Sequence, residues 1–189
     1  MELLLVTNPV SFIETLSPFA IQFIIFCATT LGTITVVWVL LYLLVRPIPD
    51  HCIFAPFEKI TRRFLNVAVV AGAALAAYAA SAALKNYFQI GRPDVLNFNF
   101  HPLLVLNDFG FPSSHAAVFS AIATALFLIH RRAGVYATLL ALTIGTARIL
   151  AGVHTPLDIL GGYLLGTACG TIAGFLVSKL VTAREEVSP

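Results

Sequence analysis

Long apolar runs separated by short polar breaks dominate this chain. About 20 apolar residues are needed to cross a bilayer as a helix, and several runs approach or reach that length. The pattern predicts an all-α fold, a polytopic transmembrane bundle with about five spanning helices in a single domain over residues 1–189. The predicted spans are 18–45, 64–84, 114–130, 134–151 and 156–181.

The segments outside the runs differ in character. Residues 1–17 are interrupted by Pro9 and Glu14, which favours a short segment lying in the membrane interface. Residues 46–63 hold basic residues among prolines and predict a polar loop. Residues 86–113 form a second, longer predicted loop, and long loops without secondary structure are uncommon and often functional.

Two helix starts carry capping signals. Pro112 ends the preceding segment, and either Ser113 or Ser114 can cap the third span. Thr155 is the expected N-cap of the fifth span, followed by Pro156 at the first helical position. Gly152 just before it permits a left-handed stop to the fourth span.

Composition places the chain in a membrane. Apolar residues make up 59% and charged residues 11%, against about 25% charged in soluble domains. The sequence has no basic tract suited to nucleic acid. Cys27, Cys52 and Cys169 are widely spread, form no metal-binding spacing, and are interpreted as small apolar fillers.

The basic residues divide between the two sides of the predicted bundle. One side has most of them and is cytoplasmic by the positive-inside rule: Arg46, Lys59, Arg62, Arg63, Arg131, Arg132, Lys179 and Arg184. The opposite, outer side has only Lys85, Arg92 and Arg148. These three lie beside the segments that contain His115 and His154. Candidate chemistry is therefore expected on the outer face.

Each candidate also has a plain structural explanation. Lys85 could extend from a helix end towards water, and Arg148 could compensate a helix C-terminus. Asp158 could be a first-turn acid, and His154 a solvated turn residue. Taken together these explanations are weaker, because polar groups near hydrocarbon are costly and point to function.

His154 and Asp158 form an ordered pair at the start of the fifth span. A carboxylate four residues on can reach back to the imidazole and raise the basicity of its other nitrogen, which suits a nucleophile. His115 has no such neighbour in sequence and is freer to act as an acid. Three cations facing a helix N-terminus suit a phosphate, and they make a metal site less expected. His51, His101 and His130 are interpreted as loop or interface residues.

Three motifs in order resemble the signatures of the type 2 phosphatidic acid phosphatase superfamily. They are Lys85-x6-Arg92-Pro93, Pro112-Ser113-Ser114-His115 and Arg148-x5-His154-x3-Asp158. The resemblance covers residues 85–158. The count of five spans with an interfacial N-terminus looks more like the short bacterial undecaprenyl-diphosphatase branch than like six-span members.

Two positions depart from the family pattern. Ser114 stands where the family usually has Gly, and Ala147 where it usually has Ser. Ser114 can still offer a backbone N–H at a helix start, so we expect activity to survive. Ala147 lacks a hydroxyl that often supports the phosphate site, so we expect an effect on fine tuning and not on the reaction class.

The resemblance implies a metal-independent membrane lipid phosphatase without a cofactor. His154 would attack phosphorus and form a phosphohistidine, Asp158 would orient it, and His115 would protonate the leaving oxygen. The phosphoryl oxygens would be held by Lys85, Arg92, Ser113, Ser114 and Arg148. The expected location is the bacterial cytoplasmic membrane, with the site facing outwards.

The expected substrate is a polyprenyl diphosphate such as undecaprenyl diphosphate. Phosphatidylglycerol phosphate, phosphatidic acid and lipid A phosphates stay open as alternatives. Membrane lipids are the other expected partners, nucleic acid is not, and the sequence does not indicate an oligomeric state. Rival functions are an anion channel or lipid-phosphate transporter, and a family member that binds lipid phosphate without hydrolysis.

Overall fold

The computed structural model describes residues 16–45, 56–93 and 102–187. Every regular element in this part of the chain is helical, which confirms the all-α prediction. The six helices are α1 Pro18–Ala28, α2 Thr30–Val45, α3 Pro56–Phe88, α4 Ser114–Ile129, α5 Arg131–Leu150 and α6 Pro156–Val187. The predicted interfacial segment lies almost wholly outside the described residues, as do Cys52, His51 and His101.

The first predicted span is a bent pair of helices. Helices α1 and α2 meet at an angle of 45° around Thr29. Both the backbone N–H and the hydroxyl of Thr29 donate to the Ile25 carbonyl, which closes α1 before α2 begins. The span predicted over 18–45 therefore consists of two helices with a bend, which the apolar pattern does not report and which threonine can stabilise.

The helix that contains the second predicted span extends beyond it at both ends. Helix α3 begins at Pro56 and ends at Phe88, whereas the prediction was 64–84. Residues 56–63, assigned to a polar loop, are helical. Pro56 occupies the first helical position, where a missing N–H costs nothing, and charged residues are compatible with a helix end outside the hydrocarbon.

Within the described chain, α3, α5 and α6 are each long and apolar enough to cross a membrane, and the bent pair would make a fourth span. Helix α4 has 16 residues, which at about 1.5 Å per residue falls short of a hydrocarbon core of about 30 Å. That α4 is a fifth span therefore stays a prediction.

Helix α4 lies at the centre of the bundle, in contact with α3, α5 and α6. Its buried positions are mostly alanine, and the larger Ile122 and Leu126 are also almost fully buried. Large apolar side chains on the peripheral helices point outwards instead, among them Trp38, Phe64 and Leu164. This distribution suits a bundle whose outer surface contacts lipid.

A glycine every fourth residue allows α6 to approach α4 closely. Gly162, Gly166 and Gly170 lie along one side of α6. A Cβ at Gly162 would come within 2.6 Å of the Ser113 carbonyl oxygen, and one at Gly170 within 2.7 Å of the Ala121 carbonyl oxygen. Small residues at this spacing let helix backbones pack together in membranes. The contact fixes the start of α4 against the start of α6.

A small apolar cluster joins α1 to the turn between α5 and α6. Cys27 and Ala28 of α1 pack with Ala147, Ala151 and Val153, and leucines from the 102–106 segment cover the cluster. Cys27 is buried and both described cysteines are free thiols, in agreement with their interpretation as apolar fillers. At the opposite end of the bundle, His130 caps α5 and its Nδ1 lies 2.8 Å from the Tyr42 hydroxyl.

Candidate active site

The antiparallel helices bring the predicted site residues to one end of the bundle. Lys85 lies in the last turn of α3, His115 in the first turn of α4, and Arg148 in the last turn of α5. Asp158 lies in the first turn of α6. Arg92 and His154 come from the adjoining loop and turn, and Ser113 is the N-cap of α4.

A cavity of about 570 Å³ opens at this end. Its polar wall contains Lys85, Arg92, Asp108, Ser114, His115, Arg148 and His154. The remaining wall is largely apolar, with side chains that include Tyr78, Leu104, Leu106, Val118 and Phe119. A polar end with three cations and an apolar remainder match the two parts of an amphiphile that carries an anionic head.

The turn between α5 and α6 places Arg148 close to His154. Gly152 has a φ of 76°, as its predicted left-handed stop requires. The Val153 N–H donates to the Arg148 carbonyl at 3.2 Å, and the Gly152 N–H donates to the Ile149 carbonyl at 2.9 Å. These two bonds form the Schellman arrangement, which reverses the chain in a few residues.

The start of α6 is a reciprocal cap. The Thr155 hydroxyl accepts from the Asp158 N–H at 3.2 Å, and Asp158 Oδ2 accepts from the Thr155 N–H at 2.7 Å. Pro156 is the first residue of the helix. The predicted N-cap is confirmed, and the cap holds the Asp158 carboxylate beside the imidazole four residues earlier.

The contacts of His154 determine its tautomer. Arg92 Nη1 lies 3.3 Å from His154 Nε2, and Asp158 Oδ2 lies 3.5 Å from Nδ1. A guanidinium only donates, so the first contact requires Nε2 without a proton. The proton then lies on Nδ1, facing the carboxylate at a distance longer than a usual hydrogen bond. Nε2 is left without a proton, and its lone pair accepts from Arg92 Nη1 in the cavity wall.

Burial keeps His154 neutral. Its side chain is almost completely shielded from solvent. Burial lowers the pKa of His154 to about 4, and the charges of Arg148 and Arg92 act in the same direction against the opposing effect of Asp158. An unprotonated imidazole at neutral pH is the form that can attack an electrophile.

The start of α4 contains two serines with different contacts. Ser113 is fully buried, donates its N–H to the Asp158 carbonyl at 3.0 Å, and caps α4 through its side chain. Ser114 lines the cavity, and its hydroxyl lies 2.9 Å from that of Ser81 on α3. Ser81 was missed by sequence reasoning, although it stands four residues before Lys85 on the same side of α3.

Asp108 was also missed, and it contacts two of the three cations. Its carboxylate accepts from Lys85 Nζ and from Arg92 Nη2. Backbone carbonyls hold the same cations: Lys85 donates to Phe109 O at 2.6 Å, and Arg92 donates to Asp108 O at 2.9 Å and Val153 O at 2.6 Å. Burial by itself would raise the pKa of Asp108, but its hydrogen bonds and charge contacts with Lys85 and Arg92 bring it to about 2.

Arg148 is a buried cation in the cavity wall. It is 4% exposed, and its Nη1 donates to the Ala28 carbonyl at 3.0 Å. Its Nε has no hydrogen-bond partner in the described part of the chain. A buried guanidinium with an unpaired N–H in a cavity wall is suited to bind an anion.

Ala147 stands where the family usually has Ser, and the three cations make a metal site less expected. Ala147 is buried against α1 in the apolar cluster. Among the described residues, no three His, Cys, Asp or Glu side chains are grouped as metal ligands.

Curated relatives match about two fifths of this chain. Bacitracin transport permease protein BcrC of Bacillus licheniformis is 38% identical over 81 residues, covering 43% of this chain and 40% of BcrC. The putative undecaprenyl-diphosphatase YbjG of Escherichia coli K12 is 38% identical over 84 residues, covering 44% and 42%. Phosphatidylglycerophosphatase B of Bacillus subtilis 168 is 37% identical over 94 residues, covering 44% of each.

Solved structures share the fold over most of the chain. The crystal structure of Aquifex aeolicus LpxE superposes with a TM-score of 0.64 at 27% identity, covering 85% of this chain and 88% of that one. A PAP2-type phosphatidylglycerolphosphate phosphatase from Bacillus subtilis gives a TM-score of 0.61 at 20% identity, covering 91% and 83%, which is a likeness of fold. The PAP2 superfamily model matches residues 66–182, and the chain belongs to that superfamily.

Proposed function

We propose that this protein is a membrane lipid phosphatase that hydrolyses a lipid phosphate or diphosphate through a phosphohistidine on His154. The observation that carries the proposal is the state of this imidazole. It is neutral, with Nε2 unprotonated in the cavity wall and Nδ1 directed at Asp158. A nucleophile oriented by a carboxylate, next to three cations, is suited to phosphoryl transfer.

In the first step, the Nε2 lone pair of His154 attacks phosphorus and the bond from phosphorus to the leaving oxygen breaks. His115, in the same cavity wall, donates a proton to that oxygen. Asp158 stabilises the positive charge that develops on the imidazole, because its Oδ2 faces Nδ1. The products are the lipid with one phosphoryl group fewer and a phosphorylated His154.

In the second step, water attacks phosphorus and the nitrogen–phosphorus bond breaks. His115, unprotonated after the first step, takes a proton from the water, so the enzyme returns to its starting state and inorganic phosphate leaves. Charge on the phosphoryl oxygens is stabilised by the cationic wall in both steps. The proposed binding residues are Lys85, Arg92, Ser113, Ser114 and Arg148.

For Ser113, the side chain is buried and caps α4, so its role is to set the helix start whose N–H groups face the phosphate. Ser114 and Arg148 have polar groups directly in the cavity wall. The Nε of Arg148 is a donor that has no partner to displace among the described residues.

The proposed substrate is a polyprenyl diphosphate such as undecaprenyl diphosphate, handled at the outer face of a bacterial cytoplasmic membrane. It is supported by the similarity to YbjG, named a putative undecaprenyl-diphosphatase, and by the distribution of basic residues. Phosphatidylglycerol phosphate is the second candidate, because another relative is named phosphatidylglycerophosphatase B. Both substrates offer a terminal phosphoryl group on a lipid, the kind of ligand that suits a cavity with a cationic wall and an apolar remainder.

The test is phosphate release by the purified protein in detergent. Undecaprenyl diphosphate, phosphatidylglycerol phosphate and phosphatidic acid are compared at equal surface concentration, with EDTA present. We expect release that is fastest from undecaprenyl diphosphate, is unaffected by EDTA, and is lost in His154→Ala. A ³²P label that stays on protein quenched with SDS at alkaline pH, is lost on acid treatment and is absent from His154→Ala would identify the phosphohistidine.

The outcomes separate the parts of the proposal. Release that persists in His154→Ala would refute the nucleophile. Inhibition by EDTA that a divalent ion reverses would refute the metal-independent mechanism. Faster release from another lipid would refute undecaprenyl diphosphate as the preferred substrate, and the assignment as a lipid phosphatase would remain. No release from any lipid by folded protein would favour a binding or transport function.

A further inference from the structure

Asp108 has no part in the mechanism above, yet its carboxylate contacts two of the three cations proposed to bind the phosphoryl group. It accepts from Lys85 Nζ and from Arg92 Nη2 at once. An anion that bridges two buried cations is the arrangement expected of a bound phosphate. We propose that the Asp108 carboxylate is an internal, displaceable anion that occupies part of the phosphoryl site in the empty enzyme and sets its affinity for phosphate.

Exposure distinguishes the carboxylate from the cations that it contacts. The Lys85 and Arg92 side chains are 8% and 3% exposed, whereas that of Asp108 is 55% exposed. The carboxylate is therefore the exposed member of this group, and it lies in the wall of the same cavity. Its own surroundings leave it room to move away, since more than half of its surface already contacts solvent.

The cations do not depend on this carboxylate for their positions. Arg92 donates from Nε to Asp108 O and from Nη1 to Val153 O, and Lys85 donates to Phe109 O. These acceptors are backbone carbonyls, so they remain in any side-chain variant of Asp108. The carboxylate is thus the removable partner of a pair of cations that the backbone already holds, and this favours displacement over a fixed positioning role.

The consequence is a lower affinity for phosphate than the three cations alone would provide. A phosphoryl group must compete with the carboxylate for Lys85 and Arg92, whereas the Nε of Arg148 has no partner among the described residues. The competition also acts on the product, because the returning carboxylate helps inorganic phosphate leave. Without a bound phosphate, the same carboxylate partly compensates the charge of two buried cations.

This inference rests on the proposed function, because it requires that the cations bind phosphate. The variants are Asp108→Asn, which keeps the shape and removes the charge, and Asp108→Ala, which removes both. Asp108→Glu is the matched control that keeps the charge. For each protein, kcat, KM for the lipid phosphate and the inhibition constant of inorganic phosphate are measured, together with the change in Tm that inorganic phosphate produces.

We expect the inhibition constant of inorganic phosphate to fall about tenfold in Asp108→Asn and Asp108→Ala. The KM for the lipid phosphate should also fall in these two variants. Their kcat should equal that of the unaltered protein or be lower, because release of the phosphate product becomes slower. Asp108→Glu should remain close to the unaltered protein. If the charge-removing variants are unstable, added inorganic phosphate should still raise their Tm more than it raises that of the unaltered protein.

Failure of this inference and failure of the proposed function would give different results. An unchanged or raised inhibition constant in Asp108→Asn, with turnover retained, would overturn the inference and make Asp108 a positioning residue. If the unaltered protein released no phosphate from lipid and inorganic phosphate did not raise its Tm, the proposed function itself would fail.

Discussion

Asp158 Oδ2 lies between two partners at the start of α6, 3.5 Å from His154 Nδ1 and 2.7 Å from the Thr155 N–H. One carboxylate therefore caps a helix and faces the proposed nucleophile. The cap restricts where the carboxylate can lie, and through it the orientation of the imidazole.

Asp158→Asn should lower kcat by about 10²–10⁴-fold, because an amide stabilises a positively charged imidazole poorly and can favour the wrong tautomer. Thr155→Ala is the matched control. It removes the other half of the cap, should lower the free energy of unfolding by about 1 kcal/mol, and should leave kcat within about tenfold. Steady-state kinetics and thermal unfolding of both variants test the prediction. Equal losses of kcat in the two variants would mean that the cap, and not the charge of Asp158, supports turnover.

The imidazole of His154 should titrate far below the usual value for histidine. Burial lowers its pKa to about 4. The folded protein therefore favours the neutral form, which should persist as pH falls from 8 to 5 and be lost only near pH 4. An NMR titration of ring protons in detergent, without substrate, measures this, with His154→Gln to assign the signal. A midpoint near 6.5 would contradict the prediction.

Much of the local architecture follows from short-range rules, which is why it was predictable. The caps formed by Ser113 and Thr155 and the stop at Gly152 each depend on a few neighbouring residues. The long apolar runs indicated the helical bundle. The division of the basic residues between the two sides of the bundle indicated that the candidate site residues lie at one end of it. Capping and membrane-crossing signals of this kind are local in sequence.

What was missed depends on contacts between distant segments. Asp108 bonds Lys85 across 23 positions, and Ser81 contacts Ser114 across 33 positions. Neither pairing leaves a local pattern. The break at Thr29 was missed for another reason, since threonine is compatible with both an unbroken helix and a bend. A signal for Ser81 was present, because it lies one helical turn before Lys85, but spacing alone does not indicate its partner.

Ser114→Gly should retain turnover within about tenfold. Glycine keeps the backbone N–H at the helix start, and Ser113 remains the N-cap. The Ser81 hydroxyl keeps its bond to the Tyr78 carbonyl at 2.8 Å, so no buried donor loses every partner. The measurement is kcat and KM on the best lipid substrate. A loss of more than about 10²-fold would show that the Ser114 hydroxyl takes part in binding or catalysis directly.

The glycines of α6 determine how closely α6 approaches α4, and the geometry of the site depends on that approach. A Cβ at Gly166 would overlap the Ala117 carbonyl and the Ser120 hydroxyl, whereas a Cβ at Gly72 on α3 would have no atom within 4 Å. Gly166→Ala should therefore lower the free energy of unfolding by about 1–3 kcal/mol through overpacking. Gly72→Ala should be neutral or slightly stabilising, since alanine is the better helix former.

Activity should follow the same contrast. Separation of α6 from α4 moves Asp158 away from Ser113, whose N–H donates to the Asp158 carbonyl at 3.0 Å. Gly166→Ala should therefore lower kcat even at temperatures where the variant is folded, and Gly72→Ala should not. The measurements are Tm by thermal unfolding and kcat by steady-state kinetics for both variants. Equal changes of kcat and Tm in the two variants would show that the close α4–α6 contact does not hold Asp158 beside Ser113.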